Sequence, residues 1–427
     1  MIDGAFLELA RLRRNQWLDT VQLERIQFGK LKKLLRHAYE NVPYYHRLFD
    51  SVGVKPDDVE SLDDFQRIPI TTKDQLQSLP IDQIVAQGAH LERCLERRTS
   101  GSTGMPLTIY VTPEEKLFQT LISLRILREN DLRFSDRLAY IGDPRHFVSQ
   151  NRWFQRLGIL RRINISVFED PEEQVRVLQK SKPNVLYGYA SSLTLLAEAL
   201  KAAQVAFPLP KLVFSTAEPL TSRGRYLIES VFGQVRDVYG TVEFGDIAWE
   251  CARHEGYHIN MDYLVVEVLR EGRRAEPGQA GELVCTSLHS YVMPLIRYRV
   301  GDMCTMSAAR CSCGRGLPLM ELVEGRLVDL IRLPSGRSIL PSVLIVTIGE
   351  IPGIRQFQIV QETLTSIVIR IIPDAGFSRT TLAQVEARCN SIVAQEVQIT
   401  VEVVDSLPLE PSGKFSVVKS KVQQDTQ

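Results

Sequence analysis

Between residues 98 and about 320, short β-rich runs alternate with helical patterns, and this constrains the fold more than any other feature. RLAYIGD, NVLYGYA and KLVFSTAE read as strands. PEEKLFQTLISLRILREN, SSLTLLAEALKAA and TSRGRYLIESVFG read as the helices between them. PLTIYVT, at 106–112, is a further strand. Such alternation argues for helices layered on a sheet, an α/β architecture. DYLVVEVL and GELVCTSL then follow with no helix between them, which predicts a β-rich subdomain. Residues 1 to about 95 read mainly helical, with LERIQFGKLKKLLRHAYENV at helical spacing and Pro43 ending it. His37 and His46 there read as packed or solvated helix residues. EGRLVDLIRLPSGR, around residues 325–337, looks like a junction. Beyond it the strands IRQFQIVQ, SIVIRIIP and VQITVEVVDSL surround the helix TTLAQVEARCNSIVAQ. The expected division is a large domain, 1–325, and a small α+β domain, 326–427.

A chain of 427 residues agrees with more than one domain. Lysine plus arginine equals aspartate plus glutamate, 51 against 51, so net charge gives no argument for nucleic acid or an anionic surface. No apolar run approaches the roughly 18 to 20 residues of a spanning helix. MIDGAFLELARLRRNQW lacks the apolar core and small-residue cleavage site of a secretory signal. Both observations predict a cytoplasmic protein. Seven cysteines, two of them in Cys311-Ser312-Cys313, then favour reduced thiols or a metal over a disulfide framework.

RTSGSTGMP, residues 98–106, is too polar and flexible for a core. Glycines and small hydroxyl residues expose backbone N–H groups and admit anionic oxygens, so a phosphate cradle is the functional reading. The Walker spacing is absent, because Met105 follows the second Gly where that motif has Lys. Taken alone, the stretch is equally a surface loop. Four further segments change its weight: STAEP (215–219), VYGTVEFG (238–245), RYRVGD (297–302) and EPSGKF (410–415).

In order and rough spacing these five segments resemble the core motifs of the adenylate-forming, acyl-CoA synthetase superfamily. They are most similar to its phenylacetate-CoA ligase branch, with its capsule-biosynthesis relatives and deazaflavin-cofactor adenylyltransferases. HAYENVPYYHRLFDSVG and FQRIPITTKDQL look like that branch's opening helices, so the resemblance spans nearly the whole chain. It implies a large adenylation domain with a C-terminal lid. It also implies that Thr99, Ser100, Gly101, Ser102, Thr103 and Gly104 wrap the β- and γ-phosphates of ATP. Ala217, Glu218 and Pro219 would line the adenine pocket, and Tyr239 and Gly240 would lie beside the adenine. Glu243 would hold Mg²⁺. Asp302 would accept both ribose hydroxyls, a task suited to two acceptor oxygens. Arg326 would reach the ribose or a phosphate, and Lys414 would be the mobile lysine of the lid. Three departures stand out. Met105 replaces a frequent Lys, Val242 replaces a Thr whose hydroxyl contact falls to Thr241, and Val328 precedes Asp329 where the hinge usually has two acids.

Two clusters lie outside these motifs. WECARHEGYHIN and ARCSCGRG bring together thiols and imidazoles, which suit zinc. Cys251, His258, Cys311 and Cys313 are the candidate ligands of a structural Zn²⁺, with His254 nearby; the competing reading is reduced, partly buried cysteines. Similar Cys/His text occurs in the branch. Tyr187, Tyr189 and Ser191 in LYGYASS, and His146 in GDPRHF, fall where relatives shape the acid pocket, although at least one tyrosine reads as core. The implied reaction joins a small carboxylic acid, with aromatic acids among the candidates, to AMP and passes the acyl group to coenzyme A. Alternatives are an amine or hydroxyl acceptor in polysaccharide or secondary-metabolite biosynthesis, AMP transfer itself, or a non-catalytic nucleotide-binding scaffold. Oligomeric state is left open, a homodimer among the options.

Overall fold

The structure is a computed structural model; it describes residues 2–99, 107–147, 155, 157–204, 207–326, 331–339, 341–410 and 415–422. Two short strands, β1 (Leu95–Arg98) and β2 (Thr108–Val111), pair antiparallel on either side of the serine- and glycine-rich stretch. Then β3 (Arg137–Gly142), β4 (Arg161–Ser166), β5 (Val185–Tyr189), β6 (Leu212–Thr216) and β7 (Val235–Thr241) run parallel in the order β4-β3-β5-β6-β7.

Helices Pro171–Ser181, Ala190–Ala202 and Ser222–Phe232 connect successive parallel strands. They cover one sheet face, where Ala139, Ile141, Ile165, Leu186 and Val213 meet Leu178, Leu193, Leu196 and Ile228. Helix Pro113–Glu129 belongs to a different core, with Val185, Leu212, Phe214 and Val238 of the sheet's other face. Its start is set locally: Thr112 accepts from Glu115 N, Glu115 reciprocates, and Pro113 occupies the first turn. The capping box of Asp19 and Gln22 starts helix Thr20–Asn41, and Val42-Pro43 ends it as expected.

The sheet does not stop at β7. Strands β8 (Gly245–Glu250), β9 (Tyr257–Ile259), β10 (Leu264–Arg270), β11 (Arg273–Arg274), β12 (Ala280–Ser287), β13 (Tyr298–Met306) and β14 (Leu319–Arg326) extend it antiparallel. The full order is β11-β10-β12-β13-β14-β9-β8-β7-β6-β5-β3-β4, one sheet of twelve strands. This corrects the separate β-rich subdomain expected after residue 260. Its strands lack helices between them because antiparallel neighbours need only short turns, and they continue the existing sheet edge.

A buried polar knot ties the opening helices to this frame. Arg125 and Asp262, both fully buried, pair at 2.9 Å. Arg125 also donates to Asn260 Oδ1 at 2.6 Å and to the carbonyl of Leu12 at 3.1 Å. Breaking such a pair leaves an uncompensated buried charge, typically ~3–5 kcal/mol.

Beyond β14, residues Ile331, Leu344, Ile359, Ile369, Val385 and Val418 form their own apolar core. A mixed four-stranded sheet, made of β15 (Ile354–Thr363), β16 (Ser366–Pro373), β17 (Gln398–Val403) and β18 (Val418–Ser420), carries helix Arg379–Ile392.

Candidate active site

In an open parallel sheet, the strand ends at a change of direction leave a crevice that no connection crosses. Here β3 is flanked by β4 and β5, so the chain turns one way and then the other. The carboxyl ends of β5, β6 and β7 bear Tyr189, Ala217-Glu218 and Tyr239-Gly240-Thr241. Three sequence-predicted segments are thus side by side because their strands are neighbours.

After β6 the chain turns sharply. Ala217 has φ +70°, a left-handed conformation costly for a residue with Cβ, and such strain clusters at functional sites. The turn presents Glu218. One carboxylate oxygen accepts from Ser191 N at 2.8 Å, the start of helix Ala190–Ala202. The other accepts from Phe415 N at 2.6 Å, the residue after Lys414. Glu218 therefore connects the sheet crevice with the C-terminal loop. Arg223 and Asp374, 3.3 Å apart, make a second contact between these parts of the chain. Pro219 is exposed on the turn.

Tyr239 donates its hydroxyl to Asp302 Oδ2 at 2.6 Å. Burial and then the Asp302 charge raise the phenol far above its usual range, so it stays a donor. Asp302 lies inside β13, not in a turn. The preceding Gly301 has φ +91°, and the pairing of β13 with β14 shifts register between Asp302 and Met303. This bulge re-aims the strand at that point and makes Arg326 the backbone partner of Asp302. Gly240 is required by the close approach of β8: a Cβ would meet the Gly245 carbonyl oxygen at 2.5 Å. Thr241 Oγ1 accepts from Phe244 N at 3.3 Å and holds the hairpin. Just past it, Glu243 accepts from the Tyr298 hydroxyl at 3.4 Å.

Thr99 is buried and closes the base of the glycine-rich stretch: its Oγ1 accepts from Leu107 N at 2.9 Å, and its own N–H donates to the Leu107 carbonyl. Ser100, Gly101, Ser102, Thr103, Gly104 and Lys414, and the side chains of His146 and Arg326, lie outside the described residues. Of the two pocket tyrosines, Tyr189 is buried at 2% exposure and packs in the helix-covered core. Tyr187 is half-buried, its ring 5.8 Å from Tyr140 and 5.9 Å from Phe214.

Beneath the crevice runs a buried acid network. Asp237 accepts from Ser215 Oγ at 2.5 Å and from the Tyr257 hydroxyl at 2.9 Å, while its N–H donates to Glu250. Glu250 pairs with Arg225 at 2.8 Å. Burial pushes the Asp237 carboxyl up to about 7, only partly offset by the Ser215 hydroxyl.

The thiol and imidazole groups also converge. The ligating atoms of Cys251, His258, Cys311 and Cys313 all lie within 4.8 Å of one another. Cys251 Sγ is 3.6 Å from Cys311 Sγ, and Cys313 Sγ is 3.4 Å from His258 Nε2. Tetrahedral zinc, with bonds of about 2.3 Å to sulfur and 2.0–2.1 Å to nitrogen, sets S···S near 3.8 Å and S···N near 3.5 Å. The donor set and spacing fit that ion. Burial, and then the neighbouring Arg315 charge, lower His258 to about 4, so its ring is neutral and able to ligate.

Sequence reading missed Lys116 and three residues with contacts near the site: Arg97 donates to the Val242 carbonyl at 3.3 Å, Asp246 accepts from Ser123 Oγ at 2.5 Å, and Arg162 lies 4.2 Å over the Tyr140 ring. The available signal was the spacing Lys116-Gln119-Ser123, a polar stripe on a helix whose neighbours are apolar. Among the described residues, no helix is long and apolar enough to cross a membrane.

Comparison with known proteins agrees with this arrangement. Residues 331–421 match the family model described as CapK C-terminal domain. The chain is 30% identical over 337 residues to the phenylacetate-coenzyme A ligase of Escherichia coli K12, covering 76% of this chain and 75% of that protein. It is 28% identical over 336 residues to the phenylacetate-coenzyme A ligase of Thermus thermophilus, 74% of this chain and 72% of the relative. The fold matches a crystal structure of 2-hydroxyisobutyryl-CoA ligase in the postadenylation state, with TM-score 0.79 and 21% identity, covering 96% and 91% of the two chains. From the sequence match, the fold and the crevice together, the chain belongs to the phenylacetate-coenzyme A ligase family of adenylate-forming enzymes.

Proposed function

We propose that the protein joins a carboxylic acid to AMP at the expense of ATP and passes the acyl group to coenzyme A. The observation that carries this reading is the convergence of Glu218, Tyr239, Glu243 and Asp302 at the carboxyl ends of the parallel strands, with Phe415 docked on Glu218. Residues so far apart in sequence meet where a nucleotide is expected in this architecture.

On this reading Thr99 to Gly104 cradle the β- and γ-phosphates, Ala217, Glu218 and Pro219 with Tyr239 and Gly240 border the adenine, and Asp302 holds the ribose beside Arg326. Glu243 shares a Mg²⁺ that arrives with the nucleotide. Attack of a carboxylate on the α-phosphorus brings two anions together. Preorganised cations offset that charge, which is the role of Lys414 and of the metal held at Glu243. Residues 1–325 then form the adenylation domain and 326–427 the lid, with the hinge just past Arg326. On this reading the bond from Phe415 N to Glu218 belongs to the adenylating arrangement, in which the lysine loop serves the crevice. Rotation of the lid withdraws that loop and opens a path for the acceptor. Cys251, His258, Cys311 and Cys313 hold a structural Zn²⁺, because four protein ligands leave no open position for chemistry.

A second reading changes only the acceptor. The lid supplies the surface on which the second half-reaction occurs, and here it is the lid that matches the CapK C-terminal domain. An amine or hydroxyl acceptor is the alternative, and similarity to an indoleacetate–lysine synthetase, 26% identical over 262 residues, is in keeping with an amine. The test is product analysis with phenylacetate and other acids, ATP and either coenzyme A or an amine panel. An acyl-CoA product with AMP supports the first reading; an amide formed without coenzyme A would replace it with the second.

A further inference from the structure

Helix Pro113–Glu129 directs Lys116, Gln119 and Ser123, one helical face, toward the β7–β8 hairpin. Ser123 Oγ donates to Asp246 Oδ2 at 2.5 Å, and Arg97 donates to Gln119 Oε1 at 3.1 Å and to the Val242 carbonyl at 3.3 Å. On the same side of the sheet, Arg162 of β4 lies over the Tyr140 ring at 4.2 Å, and Tyr140 adjoins Tyr187.

Arg97, Lys116 and Arg162 are half-exposed yet flanked closely by protein, the signature of side chains that line a recess. Among the described residues none of the three forms an ion pair. Arg162 Nε donates only to neutral Asn164, at 2.9 Å. The charges acting on Lys116 are two cations, Arg97 and Arg162, and a single carboxylate, Asp246. Burial, and then Arg97, lower this ammonium to about 8. Among the described residues, three cations face two carboxylates, Asp246 and, acting on Arg97, Glu243, which leaves a net positive charge in a partly dehydrated recess. That arrangement is costly unless an anion enters. Tyr140 and Tyr187 supply the apolar walls.

We infer that this recess is the acyl pocket and selects an acid bearing a second anionic group, a dicarboxylate or its equivalent, held by Lys116, Arg162 and Arg97 while the first carboxylate reacts. The inference rests on the adenylation reading above and deepens it. The tyrosine walls favour a flat or aromatic spacer between the two anionic groups.

The experiment compares matched acids in acid-dependent ATP–pyrophosphate exchange: 4-carboxyphenylacetate with phenylacetate, and glutarate with butyrate. It uses wild type, Lys116→Met and Arg162→Met. A charge-assisted hydrogen bond contributes about 1.5–3 kcal/mol, or roughly 10- to 100-fold. The expected result is a dianion preference of at least about 100-fold in kcat/KM, as two such contacts give. Each variant should reduce that preference about 10-fold or more and leave KM for ATP within about 2-fold. Equal or better use of the monoacids by wild type overturns the inference while leaving adenylation standing. So does a variant that raises KM for ATP with acid preference unchanged, because the cations then serve the triphosphate. If none of the acids supports exchange, calorimetric titration of the same acids into the ATP-analogue complex decides. Tighter binding of the dianions by wild type than by Lys116→Met upholds the pocket, and no difference overturns it.

Discussion

Removing the Asp302 carboxylate should separate nucleotide binding from folding. Its Oδ2 accepts from Tyr239 at 2.6 Å, and on the proposed role its oxygens also accept both ribose hydroxyls. Charge-assisted hydrogen bonds are worth about 1.5–3 kcal/mol each, so loss of two ribose bonds removes about 3–6 kcal/mol. Asp302→Ala should therefore weaken a non-hydrolysable ATP analogue by two to four orders of magnitude. Asp302→Asn keeps one acceptor and should lose about one bond, 10- to 100-fold. Tyr239→Phe leaves the carboxylate in place but removes the donor that orients it; the expected loss is about 10-fold or less. Because the two residues touch, their effects should couple in the double variant. The assay is calorimetric titration, with thermal unfolding to show that each variant folds. A folded Asp302→Ala that binds the analogue within about 2-fold of wild type would refute the ribose assignment.

Asp237 gives a pH signature. Its carboxyl is raised from the ordinary value to about 7, so between about pH 4 and 7 the unfolded chain ionises while the folded chain keeps its proton. Its contribution to stability therefore falls as pH rises through that window, by on the order of 4 kcal/mol at most. Asp237→Asn should flatten the decline in urea-unfolding stability between pH 5 and 8; an unchanged slope would show the network to be ionised throughout. For the thiol cluster, mass spectrometry of metals should find about one zinc per chain, lost in Cys311→Ser with a lowered Tm. Absence of zinc from protein purified with zinc supplied would favour plain buried thiols.

Much of the fold was legible because local signals agreed. The capping box at Thr112, Pro113 at the helix start and the strand–helix alternation all point to the elements observed. Long-range consequences were not legible. Nothing local reveals that the strands from β8 to β14 join the existing sheet, since an antiparallel run reads the same alone or appended. Asp302 follows a glycine in sequence, which suggests a turn; the structure makes it a bulge inside a strand, set by pairing with β14. The candidate metal ligands were named from residue type, but only the approach of β9 and β14 brings Cys311 and Cys313 to His258. The cations of the proposed pocket escaped notice because Arg97, Lys116 and Arg162 come from three elements, and a lone lysine on a helix ordinarily faces water. Tyr187 and Tyr189 share a motif and part company only through packing: one sits beside Tyr140 and Phe214, the other enters the helix-covered core.

Pyrophosphate exchange into ATP across a panel of carboxylic acids, with wild type and Lys414→Ala in parallel, tests the central claim most directly. Adenylation predicts acid-dependent exchange that falls by at least about 100-fold in Lys414→Ala, as expected when a charge-stabilising group is removed from a transition state. Exchange that persists undiminished in the variant would contradict the assigned role of the lid lysine. Tight ATP binding with no exchange from any acid would contradict adenylation itself.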